Sequence, residues 1–213
     1  MPAERPYVVA HLAVSADGAT TGFAVDVGAY YALVSTWKED VTLTGADTIL
    51  AQEDALDEIG PGPSPDGPLL VVVDSRCRVH SWARLRDCGL WHAVVAARTE
   101  QSAPDADVVS VVAGHDRVDL AGLLDLLGDD GAGVVRVDSG GQLVRALLDR
   151  GLVDELSLLV HPCLTGTPGS WSAGTTADLE LFDQRPYADG LVWLRYHVPS
   201  DGRSAVRTEG EPA

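Results

Sequence analysis

Nine short apolar segments punctuate this chain, and helix-patterned stretches follow the first, second, fifth and sixth of them. The segments are Tyr7 to Ser15, Val41 to Thr44, Leu69 to Asp74, Leu90 to Ala97, Val108 to Val112, Val134 to Asp138, Leu156 to His161, Leu179 to Arg185 and Leu191 to Val198. Runs such as Leu69-Leu70-Val71-Val72-Val73 are apolar at every position, as in a strand covered on both faces. Strands joined through helices lie parallel, because the crossover returns the chain to the same edge of the sheet. The last two segments have no helix between them and read as a closing antiparallel pair. The expected fold is α/β: three layers, a mostly parallel central sheet and an antiparallel C-terminal edge.

Four helices are expected. The first spans Ala24 to Trp37, with Asp26 as N-cap and Tyr30, Leu33, Val34 and Trp37 spaced i, i+3, i+4, i+7. The others run from Asp47 to Ile59, from Leu120 to Leu127 and from Gln142 to Arg150. Four prolines between Gly60 and Pro68 mark a loop. No Ser/Gly-rich or Pro-rich linker separates two sets of apolar segments. One domain over 1–198 is therefore expected, with a polar tail over 199–213.

Formal net charge is −17, and Lys38 is the single lysine. A nucleic-acid partner needs a basic surface, and no basic stripe is present. An anionic ligand would have to be held locally, by backbone N–H groups and one or two arginines. No apolar run approaches the roughly 20 residues of a membrane span. The opening Met1-Pro2-Ala3-Glu4-Arg5-Pro6 lacks the basic and apolar stretches of a signal peptide. Cys77, Cys88 and Cys163 have no metal-ligand spacing, and free thiols fit a cytoplasmic location. No metal site is expected.

Chemistry concentrates where strands end. A helix N-terminus offers free N–H donors and partial positive charge, which suits phosphate, and α/β sheets bind ligands at the carboxyl ends of their strands. Two strand-to-helix turns carry glycine: Thr44-Gly45-Ala46-Asp47-Thr48 and Ser139-Gly140-Gly141-Gln142-Leu143. Glycine there serves either close approach to a ligand or simple turn geometry. A third strand ends in Asp74-Ser75-Arg76, where the guanidinium suits a ribose 2′-phosphate or a neighbouring surface carboxylate. Asp17, in Ser15-Ala16-Asp17-Gly18, either faces a ligand or stabilises its own turn. Six scattered histidines show no zinc pattern, and lone strand histidines such as His11 and His161 are more often core residues than catalysts. The Rossmann, P-loop and serine-hydrolase signatures are absent.

In order and spacing, these segments resemble the reductase domain of the riboflavin-biosynthesis deaminase-reductase family, which has a dihydrofolate-reductase-like fold. The resemblance rests on Arg5 to Gly18, on Asp40 to Thr48, on Leu70 to Arg76, on Val135 to Gly141 and on Gly151-Leu152-Val153-Asp154-Glu155-Leu156 followed by Pro162. It spans about residues 5–198. It implies NADPH as cofactor, direct hydride transfer to a small-molecule substrate and a homodimer. Gly45, Ala46 and Thr48 would hold cofactor phosphates, and Ser75 and Arg76 would sit near the 2′-phosphate. Ser139, Gly140, Gly141, Gln142 and Leu143 would form the second cofactor-binding turn, and Asp17 would face the substrate as the catalytic-side acid.

The sequence also departs from that family. Ser139 stands where an acid is common before the glycine pair, His11 stands where a lysine is common, and Asp26 to Lys38 lacks the arginine and histidine that hold a ribose phosphate. The expected activity is NADPH-dependent reduction of a carbonyl or imine in a pyrimidine-ribosylamine-like or pterin-like molecule. The alternatives are a reductase of a specialised metabolite and a non-catalytic nucleotide-binding dimer of the same fold.

Overall fold

The computed structural model describes residues 5–53, 62–103, 105–167 and 170–199. The expected tail from 200 onward and the expected helical residues 54–59 lie outside them. Nine strands form one sheet: β1 (Tyr7–Ser15), β2 (Val41–Gly45), β3 (Leu69–Val73), β4 (Ala93–Arg98), β5 (Val109–Val112), β6 (Val134–Val137), β7 (Glu155–His161), β8 (Glu180–Pro186) and β9 (Val192–His197). Their order is β5-β4-β3-β2-β6-β1-β7-β9-β8. The first seven pair in parallel, and β9 and β8 close the edge antiparallel. Every expected strand forms, with ends shifted by up to three residues.

Among the described residues, five helices cover the two faces: α1 (Val27–Val34), α2 (Ala46–Gln52), α3 (Trp82–Asp87), α4 (Leu120–Asp129) and α5 (Gly141–Leu148). Asp26 caps α1 as expected, its carboxylate accepting the Ala29 N–H at 2.8 Å. The helix stops before Trp37, although Trp37 remains buried. Lys38 follows at φ 47°, a left-handed conformation that ends any helical path. Helix α3 was not expected: its six residues bury only Trp82 and Leu85, too short a stretch for a periodic pattern to stand out.

The layers follow from strand alternation. Leu123, Leu124, Leu143, Val144 and Leu147 of α4 and α5 pack on one face, against Val8, Ala10, Leu43 and Val137. On the other face, Tyr30 and Leu33 of α1 and Trp37 just beyond it pack against Val9, Leu159 and Trp193, while α2 and α3 cover Leu70 and Val72. A buried Leu or Val side chain contributes about 1.5–3 kcal/mol, so these two faces dominate stability.

One topological feature places the site. The chain lays β2 two positions from β1, builds outward through β3, β4 and β5, and then returns β6 into the gap between β1 and β2. After β2 it leaves by α2 on one face, and after β6 by α5 on the other. Such a switch point opens a crevice at the carboxyl ends of the strands.

Candidate functional site

Gly45 ends β2 and Gly140 follows β6, on neighbouring strands at this switch point. Their turns are tied together through two hydroxyls. The Gly45 N–H donates to Ser139 Oγ at 3.2 Å, and the Gly140 N–H donates to Thr48 Oγ1 at 3.2 Å. The two hydroxyl oxygens lie 3.1 Å apart. Each accepts one N–H, and one hydroxyl proton joins the pair. Whichever donates, the other hydroxyl proton is left over. No side chain caps α5, whose first amides open toward the same crevice.

The two glycines of the second turn serve different ends. A Cβ on Gly140 would meet nothing within 4 Å, so its missing side chain leaves open space in the groove. A Cβ on Gly141 would lie 3.0 Å from the Cα, Cβ and carbonyl oxygen of Trp171. Gly141 thus admits the protein's own backbone.

A groove of about 970 Å³ runs along these turns. Gly45, Ala46, Thr48, Ser75, Arg76, Ser139, Gly140, Gly141, Gln142 and Leu143 all line it, so the structure brings together every residue expected on the cofactor side. Sequence reasoning missed Arg78, Arg117, Asp116 and Arg150 on the same walls. Arg117 follows β5 much as Arg76 follows β3, and a reading of every strand end would have found it.

Four arginines face three aspartates across this groove, in a chain of net charge −17. Most of these charges are engaged. Arg78 pairs with Asp47 at 2.6 Å, an exposed pair of small energetic weight. Asp74 is buried and accepts the backbone N–H groups of Arg78 and Val79, which fixes the loop carrying Ser75 and Arg76. Asp116 accepts from Gln101, and Arg150 donates to the Ala146 carbonyl. Arg76 and Arg117 form no ion pair among the described residues. The wall is therefore locally cationic.

Asp17 lies at the same edge of the sheet, after β1, but does not line the groove. Its carboxylate accepts from Ser15 Oγ, from the N–H groups of Thr165 and Gly166 at 3.0 and 2.9 Å, and from Thr165 Oγ1. These bonds, that from Ser15 foremost, hold its pKa down to about 2. The carboxylate clamps the end of β1 to the loop after β7.

A buried polar cluster lies under α1, beside the groove. Arg136 donates to Glu39 at 2.8 Å and to Asp138 at 3.0 Å, and the one proton of Tyr30 Oη is shared between the His11 carbonyl oxygen at 2.9 Å and Asp138 at 3.1 Å. His11 is fully buried, 3.0 Å from Ser157 Oγ and stacked on Tyr30. Burial, and then the nearby Arg136 charge, lower its pKa to about 4. His161 accepts the Asp26 N–H at Nε2 and is equally structural. Among the described residues, no group of three or more His, Cys, Asp or Glu could hold a metal ion. No described helix is long and apolar enough to cross a membrane.

Comparison with known proteins agrees with this geometry. The model of the RibD C-terminal domain family matches residues 6–192. The 2,5-diamino-6-ribosylamino-4(3H)-pyrimidinone 5′-phosphate reductase of Archaeoglobus fulgidus is 31% identical over 181 residues, covering 76% of this chain and 83% of the relative. A pyrimidine reductase-like protein from Corynebacterium diphtheriae shares the fold with a TM-score of 0.69 at 17% identity, covering 92% of this chain and 93% of the other. Dihydrofolate reductase from Enterococcus faecalis shares it with a TM-score of 0.50 at 10% identity, covering 91% and 97%.

Proposed function

The chain belongs to the RibD C-terminal domain family, and from that premise we propose that it uses NADPH to reduce a ribosylamino-pyrimidinone 5′-phosphate. It is a reductase with a dihydrofolate-reductase-like fold. The observation that carries the cofactor reading is the pair of glycine turns joined through Ser139 and Thr48 at one groove.

The residues there fit an anionic dinucleotide. The uncapped start of α5 and the leftover hydroxyl proton donate to pyrophosphate oxygens, and the open space at Gly140 allows close approach. The hydroxyl of Ser139 adds a donor where an acid would set negative charge beside a phosphate. Ser75 and Arg76 sit on a rigid loop suited to a 2′-phosphate, which is the reading that favours NADPH over NADH.

When bound, the nicotinamide would supply a hydride for a carbonyl or imine carbon of the substrate, with the balancing proton coming from water or a nearby polar group. The protein's part is alignment and electrostatics rather than strong acid–base chemistry. Asp17 contributes by fixing the loop at residues 165–166 to the end of β1.

The outer sheet supports a homodimer. Leu181 is half exposed and shares a face with Tyr196, beside the Leu158–Leu194 pair. Three free cysteines suit a reducing cytoplasm.

The test is direct. NADPH should raise the melting temperature, and the pyrimidinone phosphate should be reduced with stoichiometric NADPH oxidation. Absence of any shift with millimolar NADPH or NADH would refute the reading.

A further inference from the structure

Three aspartates line the groove, and one of them stands beside the Ser75–Arg76 loop with an oxygen to spare. Asp74 is buried, and its two oxygens accept the Arg78 and Val79 N–H groups. Asp116 follows β5, two strands away from β3. Asp47 follows β2, the strand that pairs with β3. In that register Gly45 lies across from Val73, so Asp47 and Ser75 each stand two residues past a matched pair.

The Asp47 side chain is 63% exposed, and its Oδ1 accepts from Arg78 Nη1 at 2.6 Å. Among the described residues, nothing donates to its Oδ2. The Arg78 side chain is 39% exposed, while its backbone is pinned by Asp74. Its guanidinium can therefore swing while its root stays fixed. Arg76, on the same loop, forms no ion pair among the described residues. One guanidinium of this wall is thus free, and the other is held by a carboxylate.

NADPH and NADH differ at a single position, a 2′-phosphate in place of a 2′-hydroxyl. A phosphate at the Ser75 loop meets Arg76 directly. It must take Arg78 from Asp47, whose own charge opposes it. The exposed Arg78–Asp47 pair has small weight, so the exchange is possible. A hydroxyl asks for no exchange: it donates to the open Asp47 oxygen and leaves the ion pair intact. An acid that accepts from a ribose 2′-hydroxyl favours the unphosphorylated nucleotide.

We propose that Asp47 sets the margin between NADPH and NADH, its carboxylate competing with the 2′-phosphate for Arg78 and accepting from the 2′-hydroxyl of NADH. This rests on the function proposed above and adds a determinant opposed to Arg76. Arg76 favours NADPH, and Asp47 limits how far. Specificity of this kind comes from a repulsive element as much as from an attractive one.

Fluorescence titration with NADPH and with NADH tests the proposal without the pyrimidine substrate. Asp47→Asn keeps the size of the side chain and removes its charge. Its Kd for NADPH should fall about tenfold and its Kd for NADH rise about threefold, widening the preference about thirtyfold. Arg78→Ala should raise the Kd for NADPH about tenfold and leave that for NADH within about twofold. In the double variant most of the NADPH gain should vanish, because it is made through Arg78. A merely structural role for Asp47 would move both nucleotides together. In a native chain that binds either nucleotide, a preference unchanged within about twofold by Asp47→Asn overturns the assignment and leaves the reductase reading standing. If Asp47→Asn does not fold, equal losses for both nucleotides in Arg78→Ala overturn it instead. A native chain that binds neither nucleotide overturns both.

Discussion

Thr48 and Ser139 lie 91 residues apart in the chain, yet their hydroxyl oxygens sit 3.1 Å from each other at the point where the strand order reverses. Each accepts the glycine N–H of the other's turn, so the two halves of the groove are held in one register. Loss of this link should loosen the groove before it unfolds the domain. Ser139→Ala removes two hydrogen bonds of about 0.5–1.5 kcal/mol each. NADPH affinity should fall about tenfold in a titration, and the melting temperature by a few degrees. Thr48→Val should match it, and the double variant should lose less than the sum, because both remove the same link.

Gly140 and Gly141 should separate binding from stability. Gly140 has φ −66° and ψ 173°, a conformation open to any residue, and faces empty groove. Gly140→Ala should leave the melting temperature unchanged or slightly raised and weaken NADPH by tenfold or more. Gly141→Ala should do the reverse. Its methyl would press on the Trp171 backbone and cost about 1–3 kcal/mol of stability, seen as a lower urea midpoint. Equal effects from both substitutions would show that neither glycine faces a ligand.

Arg76 should govern cofactor choice. It lines the groove with no ion pair among the described residues, on a loop fixed by the Asp74 carboxylate. Arg76→Ala should raise KM for NADPH about tenfold and leave KM for NADH within twofold, since only NADPH carries the 2′-phosphate. The penalty should shrink as ionic strength rises. Equal losses for both nucleotides would mean that Arg76 acts on the pyrophosphate or on the fold.

The fold was legible because its signals are local. Valine-rich runs, an Asp26 cap and glycine at strand-to-helix turns each act over a few residues, and they located all nine strands and ten residues that line one groove. The insertion of β6 between β1 and β2 was not legible, since strand order is decided by packing between distant segments. Arg117 was missed because seven residues separate the end of β5 from α4, so no short strand-to-helix turn marks the place. Asp138 was missed although a signal existed. Arg136 and Asp138 stand at i and i+2 in an otherwise apolar run, and two charges on one face of a buried strand require partners or a ligand. Asp17 shows the opposite case: its turn looked accessible, and the bonds from residues 165–166 that occupy its carboxylate come from the far end of the chain.

His11 should set the acid limit of stability. It is fully buried between Tyr30 and Trp37, and burial lowers its pKa from 6.5 to about 4. The unfolded chain therefore binds a proton near pH 6.5 that the folded chain refuses until about pH 4. Because the unfolded state binds more protons in that window, stability rises with pH across it. The contribution is fully present above about pH 6.5 and is lost as pH falls toward 4. The shift corresponds to about 3 kcal/mol. Urea unfolding of the native chain should show this loss between pH 6.5 and 4. His11→Gln keeps a polar group near Ser157 but removes the titration, so its stability should be lower at pH 7 and nearly flat over that window. A variant curve that runs parallel to the native one would assign the acid sensitivity to other groups.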